Sequence, residues 1–207
     1  MRRPGGNAYR SATFTLIVLN VIVFLVQAAF PASFYSISDY LVLSPRGLRH
    51  GFVWQLLTFQ FLHANLPHLL LNCLAIYFFG NGVEEALGRR SFYTLYLSSG
   101  IFGGLIQAGL GLLFPESLFN VGVLGASAGA FGLTAAFALL YPDSLIMLFF
   151  IIPLRAKYLL PLSALGALIF MLFPSKSNNV AHAAHLGGMI AGYIFVRYAV
   201  HWNFRWP

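Results

Sequence analysis

The chain has 207 residues, of which 59% are hydrophobic and only 8% are charged. This composition is too apolar for a water-soluble domain, and it predicts one membrane domain over residues 1–207 with about six spans, since a span takes about 20 apolar residues. The formal net charge of +7 comes from cations scattered between apolar segments. The pattern therefore favours a lipid bilayer as a partner and argues against nucleic acid.

Six apolar segments predict an all-α bundle of membrane helices. They run roughly over 13–29, 67–83, 92–113, 127–141, 158–173 and 183–201. The first segment lacks a small-residue cleavage site followed by a polar mature domain, so it predicts an anchor helix and not a signal peptide. The connector over about 30–60 mixes proline and glycine with aromatic residues, which is typical of an ordered loop at the membrane interface.

A further apolar stretch, Leu145 to Leu154, follows the fourth segment. It is only about half as long as the roughly 20 residues that a span requires. Pro153 closes it, and Arg155 and Lys157 follow. The stretch is therefore predicted to be an interfacial or re-entrant piece.

The cations predict the orientation of the bundle. If the amino terminus lies inside, nine of the 12 lysines and arginines fall on the inner side and three on the outer side. The inner cations are Arg2, Arg3, Arg10, Arg89, Arg90, Arg155, Lys157, Arg197 and Arg205, and the outer ones are Arg46, Arg49 and Lys176. The positive-inside rule then places both termini in the cytoplasm and makes the second, fourth and sixth helices run inward.

Four polar residues begin those three inward-running helices, so they are expected to share one depth below the outer surface. His68 and Asn72 are four residues apart and lie on one face of the second helix. Ser127 begins the fourth helix, where free backbone N–H groups favour a developing negative charge, and His185 lies at the start of the sixth. Because polar side chains in a span are costly, they predict a Ser–His dyad with an oxyanion hole.

Glycines accompany both members of the predicted dyad and leave a second interpretation open. Gly125 lies two residues before Ser127, and Gly188 and Gly192 follow His185 at helical spacing. Small residues of this kind can form a close-packing surface between membrane helices without any chemistry. They would also bring the serine within hydrogen-bond reach of the histidine, about 3 Å.

Other catalytic classes are less well supported by the sequence. His182-x-x-His185 is half of a metal site at most, because no HExxH motif is present and no carboxylate lies near that end of the helices. Asp39 and Asp143, the only aspartates, fall outside the spans, which argues against an aspartyl mechanism. Glu84 lies roughly 24 Å along the helix from His68 at 1.5 Å per residue, so a structural role is expected for it.

Together these residues resemble the rhomboid intramembrane serine proteases. The matching motifs are Trp54 before Leu56-Leu57-Thr58, His63, His68-x-x-x-Asn72, Glu84 ahead of Leu87-Gly88, Gly125-x-Ser127, and Ala184-His185-x-x-Gly188-x-x-x-Gly192. The resemblance implies a six-helix rhomboid-like bundle with a water-filled cavity. It also implies Ser127 as nucleophile, His185 as general base, and an oxyanion hole made by His68, Asn72 and the Ser127 N–H.

Two positions depart from the family pattern. Gln55 stands where an arginine often follows the loop tryptophan, which removes a charged tether from the first connector. Phe131 stands where some members have tyrosine, four residues after the nucleophile. Its ring can still stack on His185, although it offers no hydroxyl group.

The sequence thus predicts an intramembrane serine endopeptidase that cleaves transmembrane proteins and needs no metal or organic cofactor. Two non-enzymatic alternatives stay open. A rhomboid-like protein that binds and escorts membrane proteins would not need the intact Ser127 and His185, and a small transporter would be expected to show an inverted repeat. The absence of an organelle-targeting extension favours a bacterial inner membrane as the expected location.

Overall fold

The computed structural model describes residues 11–117, 119–148, 151–173 and 181–199. Its helices are α1 Ala12–Ala29, α2 Pro31–Leu41, α3 Pro45–Arg49, α4 Gln55–Thr58, α5 Leu66–Leu87, α6 Arg89–Leu113, α7 Ser127–Leu140, α8 Leu159–Leu172 and α9 His182–Ile194. Two short strands, β1 Leu145–Leu148 and β2 Ile152–Arg155, lie between α7 and α8.

Each of the six predicted segments corresponds to a helix, namely α1, α5, α6, α7, α8 and α9, with ends that differ by a few residues. Residues 200 and 201 of the sixth segment lie outside the described residues, as do the terminal cations and Lys176. Within the described part of the chain, α1, α5 and α6 are long and apolar enough to cross a membrane, whereas α7 and α8 are shorter apolar helices. The helical architecture fits a membrane bundle, and six spans remain a prediction.

Helix α7 lies at the centre of the bundle and packs against α5, α6 and α9. Most of its side chains are buried, and most of the buried ones are alanine or glycine. Its Leu133 belongs to the largest apolar cluster, together with Leu16 of α1, Ile76 of α5 and Leu95 of α6. Small side chains therefore let three helices surround the short helix that begins with Ser127.

Glycine contacts bring α9 unusually close to α7. A Cβ atom at Gly188 would collide with the carbonyl oxygen of Ala128, and one at Gly192 would collide with the carbonyl oxygen of Gly132. Since only hydrogen occupies these positions, the two backbones touch along one turn of each helix. This contact fixes the distance between the amino-terminal ends of the two helices.

Glu84 ties the carboxyl end of α5 to the first turn of α1. The backbone N–H groups of Ala12 and Thr13 donate to its carboxylate at 2.6 and 2.9 Å, and the hydroxyl groups of Ser11 and Thr13 donate at 2.7 and 2.8 Å. A carboxylate that accepts the free N–H groups at a helix start stabilises that helix. Glu84 therefore has a structural position in this fold, at the opposite end of α5 from His68.

Gln55 anchors the first connector even though the charged tether is missing. The side chain is fully buried, and its amide nitrogen donates to the Asp39 carbonyl at 2.7 Å. Its amide oxygen accepts the Ser44 N–H at 3.1 Å. Trp54, the preceding residue, donates its ring N–H to the Tyr40 carbonyl at 2.8 Å. A neutral amide thus joins two parts of the connector through backbone groups.

The stretch after α7 is a β-hairpin, which departs from the all-α expectation. β1 and β2 pair antiparallel, with Leu145 opposite Arg155 and Leu148 opposite Ile152. Pro153 cannot donate a backbone hydrogen bond and disfavours a helix interior, while β-branched isoleucines favour extended structure. The piece is too short to span, as expected, but it adopts strands.

Candidate active site

Ser127 is the first residue of α7, and a turn at Gly125 leads into it. Gly125 has φ of 130°, a conformation that residues with a side chain rarely adopt, and its N–H donates to the Phe59 carbonyl at 2.9 Å. Ala126 then occupies the cap position before the helix. Because the first N–H groups of a helix have no intrahelical acceptor, Ser127 lies where backbone donors can meet an anion.

His185 lies in the first turn of α9 and faces Ser127. Its Nε2 atom is 2.8 Å from the Ser127 Oγ atom. With the ring neutral and protonated at Nδ1, Nε2 accepts the serine O–H, which is the arrangement of a general base and its nucleophile. The glycine contacts between α7 and α9 hold the two helices at the separation that this hydrogen bond needs.

Aromatic rings surround the His185 imidazole. The Phe131 ring, one turn along α7 from Ser127, has its centroid 4.4 Å from the imidazole centroid, and the two planes are tilted by 32°. The His182 ring meets His185 edge to face at 5.9 Å and stacks on Phe170 at 4.9 Å. Phe131 therefore contacts the His185 ring by packing alone, since it has no hydroxyl group.

His68 and Asn72 reach from α5 toward the turn that delivers Ser127. A Cβ atom at Gly125 would lie 2.7 Å from the His68 Nε2 atom and 3.6 Å from the Asn72 Nδ2 atom. The Asn72 side chain is 6% exposed, and within the described residues its amide nitrogen has no hydrogen-bond partner. Both side chains thus bring nitrogen atoms to the segment just before the serine, where an oxyanion could be bound.

His63 adds a second histidine behind His68, in the loop before α5. The two rings meet edge to face with centroids 5.2 Å apart. Burial, together with the neighbouring His68, lowers the pKa of His63 from 6.5 to about 4, so this ring is neutral at neutral pH.

Gln27, on α1, contacts the backbone of His63, and the sequence analysis did not predict this contact. Its side-chain oxygen accepts the His63 backbone N–H at 3.1 Å, and its nitrogen donates to the His63 carbonyl at 3.4 Å. The only signal in the sequence was an amide side chain near the end of the first apolar segment, which also contains Asn20. Gln27 therefore fixes the peptide that places His63 against His68.

A metal set does not form around His182 and His185 in the described part of the chain. Within that part, no three histidine, cysteine, aspartate or glutamate side chains converge closely enough to hold a metal ion. Trp54 and Glu84 both lie away from the Ser127–His185 pair, in the connector and at the far end of α5 respectively. Trp54 donates to a backbone carbonyl of the connector, and Glu84 accepts from backbone and hydroxyl groups at the start of α1.

Comparison with known proteins identifies the family of the chain. The family model described as Rhomboid domain matches residues 50–202. The chain is 29% identical over 196 residues to Rhomboid protease AarA of Providencia stuartii, a match that covers 87% of this chain and 69% of that protein.

Two eukaryotic relatives extend the comparison. Rhomboid-like protease 3 of Toxoplasma gondii is 27% identical over 197 residues, covering 93% of this chain and 71% of that protein. Rhomboid protein 1, mitochondrial, of Saccharomyces cerevisiae is 31% identical over 139 residues, covering 65% of this chain and 38% of that protein. With its apolar helices and this match over most of its length, the chain belongs to the rhomboid family of integral membrane proteins.

Proposed function

We propose that this rhomboid-family chain is an intramembrane serine endopeptidase that cleaves transmembrane proteins in or next to their membrane segments. One observation carries the proposal: the Ser127 Oγ atom lies 2.8 Å from the His185 Nε2 atom at the head of a buried helix. The similarity to relatives named as rhomboid proteases supports the same class of reaction.

The first chemical step is attack by Ser127 on the scissile carbonyl carbon. As the new C–O bond forms, the serine proton moves to the His185 Nε2 atom, and the carbonyl oxygen becomes an oxyanion. The Ser127 N–H at the start of α7 and the side chains of His68 and Asn72 would donate to that oxygen. Donors that are already in place stabilise the transition state more than the substrate.

Breakdown of the tetrahedral intermediate releases the first product. The C–N bond breaks, and the His185 imidazolium gives its proton to the leaving amine, which leaves an acyl ester on Ser127. His185 then takes a proton from a water molecule that attacks the ester carbonyl. Collapse of this second intermediate breaks the ester bond, and the proton returns to Ser127 as the carboxyl product departs.

In this mechanism the base is oriented by packing. Phe131 stacks on the imidazole at 4.4 Å and restricts its rotation, so that Nε2 stays near the serine hydroxyl. A non-catalytic binding and escort role is the alternative in the same family. It gives no reason for a serine and a histidine to meet at hydrogen-bond distance inside the bundle.

We also propose six spans with both termini cytoplasmic, and a bacterial inner membrane as the location. The uneven distribution of cations supports the orientation. A mitochondrial relative shows that the family is not confined to bacteria, so the location depends on the source of the chain.

A fluorophosphonate probe tests the proposed nucleophile directly, because such probes react with a serine hydroxyl that a base activates. The wild-type chain in detergent should be labelled at Ser127, and Ser127→Ala should not be labelled. Ser98→Ala is the matched control, since the Ser98 hydroxyl donates to a helix carbonyl at 3.2 Å, away from His185. Labelling that survives in Ser127→Ala would contradict the proposal.

A further inference from the structure

The β1–β2 hairpin presents an open face made mostly of apolar residues. Leu145 and Met147 are 70% and 52% exposed, respectively. The register places Arg155 opposite Leu145 and Pro153 opposite Met147, and both partners are also exposed. Because cross-strand partners lie on the same side of a sheet, these four residues form one surface, which is called the hairpin face here.

The other side of the hairpin is partly covered. Ile146 and Leu154 are cross-strand partners, and both are half-buried. Successive side chains of a strand point to opposite sides, so the hairpin turns these residues toward the body of the protein and the hairpin face away from it. The hairpin thus exposes its apolar face instead of burying it.

The base of the hairpin is firmly joined to the bundle. The Ala156 N–H donates to the Ser144 carbonyl, and the Lys157 N–H donates to the Pro142 carbonyl, each at 2.9 Å. Ala156 is fully buried beside these bonds. Nearby, the Tyr141 hydroxyl donates to the Gly82 carbonyl of α5 at 3.1 Å. The hairpin face therefore has a defined position at the end of the bundle where α5 ends.

Charges lie only at the base of this structure. Asp143 contacts Lys157 at 3.1 Å and Arg155 at 3.6 Å, and residues 144–154 carry no charge. The cationic side chains are 57% and 41% exposed, and two cations with one carboxylate leave a net charge of +1. Apolar side chains bordered by exposed cations are typical of elements that lie on an anionic membrane surface.

Exposed apolar side chains also lie on α8, the helix that follows the hairpin. Tyr158, Leu162 and Leu165 are all exposed on that helix or just before it. For an integral membrane protein, such a surface faces lipid. Among the described residues the sheet has only these two strands, so the backbone groups on their outer edges have no strand partner there. Such edges cannot enter the hydrocarbon, because nothing in it would satisfy them. The hairpin must then lie at the level of the lipid headgroups.

We propose that the hairpin face docks on the surface of the bilayer. Leu145, Met147 and Pro153 would lie at the boundary between headgroups and acyl chains, and Arg155 and Lys157 would contact anionic headgroups. This docking would fix the segment between α7, which carries Ser127, and α8. It does not depend on the proposed catalytic function.

Fluorescence quenching in liposomes tests this placement on the full chain. Met147→Cys in a Cys73→Ala background is labelled with an environment-sensitive fluorophore and reconstituted with phosphatidylglycerol-containing lipid. With iodide present on both sides of the bilayer, nitroxide lipids labelled near the headgroup should quench it several-fold more strongly than aqueous iodide does. Glu116→Cys, in the exposed loop after α6, is the control that iodide should reach, and Leu145→Cys is a second probe of the hairpin face.

Two results would overturn the proposal. Iodide quenching as strong as in the Glu116→Cys control, without quenching by lipid, would place the hairpin face in water. Disulfide-linked pairs at Met147→Cys and Leu145→Cys without lipid quenching would show that a second copy covers it. Neutralising the cations by Arg155→Gln and Lys157→Gln should weaken the shallow lipid quenching in anionic vesicles; unchanged quenching would contradict the role given to the charges.

Discussion

His68 and Asn72 reach the same glycine peptide from consecutive turns of α5, and each is expected to donate one hydrogen bond to the oxyanion. His68→Ala and Asn72→Ala should each lower kcat by roughly 10-fold to 10³-fold, the order of effect seen when one oxyanion donor is removed. Steady-state cleavage of a single-span substrate in liposomes measures the change.

Asn81→Ala on the same helix is the control for these two variants. The Asn81 side chain is exposed and donates to the Tyr77 carbonyl at 2.8 Å, so its removal should leave kcat unchanged. If kcat stayed at the wild-type value in both His68→Ala and Asn72→Ala, their roles would be structural.

Phe131 and His182 both contact the His185 ring but are expected to differ in importance. Phe131→Ala should lower kcat markedly in a protein that still folds, because an imidazole free to rotate spends less time near the serine. Phe131→Tyr should keep most of the activity, since the stacked ring is retained. His182→Ala should stay largely active, because the dyad needs no second histidine. If His182→Ala were inactive and Phe131→Ala were fully active, His182 and not Phe131 would be the residue that positions His185.

Sequence spacing predicted which residues of the site approach one another, but not what supports them. The interval between His68 and Asn72 and the places of Ser127 and His185 at helix starts carry a geometric signal. Gln27 and Gln55 carry none, because each bonds to backbone groups, and any residue type supplies those. Their hydrogen-bond partners come close only when the connector is folded against α1 and α5.

The close contact between α7 and α9 is expected to control activity at the scale of helices. Gly188→Ala should lower cleavage strongly, because its new methyl group would collide with the backbone of Ala128 and separate Ser127 from His185. Gly166→Ala on α8 is the matched control, since no atom lies near a Cβ there and alanine favours a helix. Activity assays with thermal unfolding curves compare the two. Full activity in Gly188→Ala would contradict the packing argument.

The long membrane helices were predictable from their apolar runs, whereas the hairpin and the helices α2, α3 and α4, which lie in the connector expected as a loop, were not. Segments such as α1 and α6 are long enough that only a helix satisfies their backbone groups in lipid. The stretch over 145–154 is short and continuously apolar, so it has no periodicity that separates a helix from a strand. Its pairing depends on the bonds at residues 142–144 and 156–157, which arise from the ends of α7 and α8.

The proposed orientation is a property of the whole molecule and rests on the distribution of its cations. With both termini inside, Glu116→Cys should react with an impermeant thiol reagent added outside, and Arg90→Cys should not; both are made in a Cys73→Ala background. Both positions are exposed in the structure, so a difference in labelling reports the side of the membrane and not burial. The opposite pattern would invert the bundle and place the Ser127 end of α7 on the cytoplasmic side.

Cleavage of a membrane-embedded substrate is the most direct measurement of the central claim. The full chain and a single-span substrate are reconstituted together in liposomes, and the fragments are weighed by mass spectrometry. The wild-type chain should give two fragments that meet in or next to the span, while Ser127→Ala and His185→Ala should give almost none, since the two residues act as one unit. Fragments from Ser127→Ala at the wild-type rate would contradict the claim.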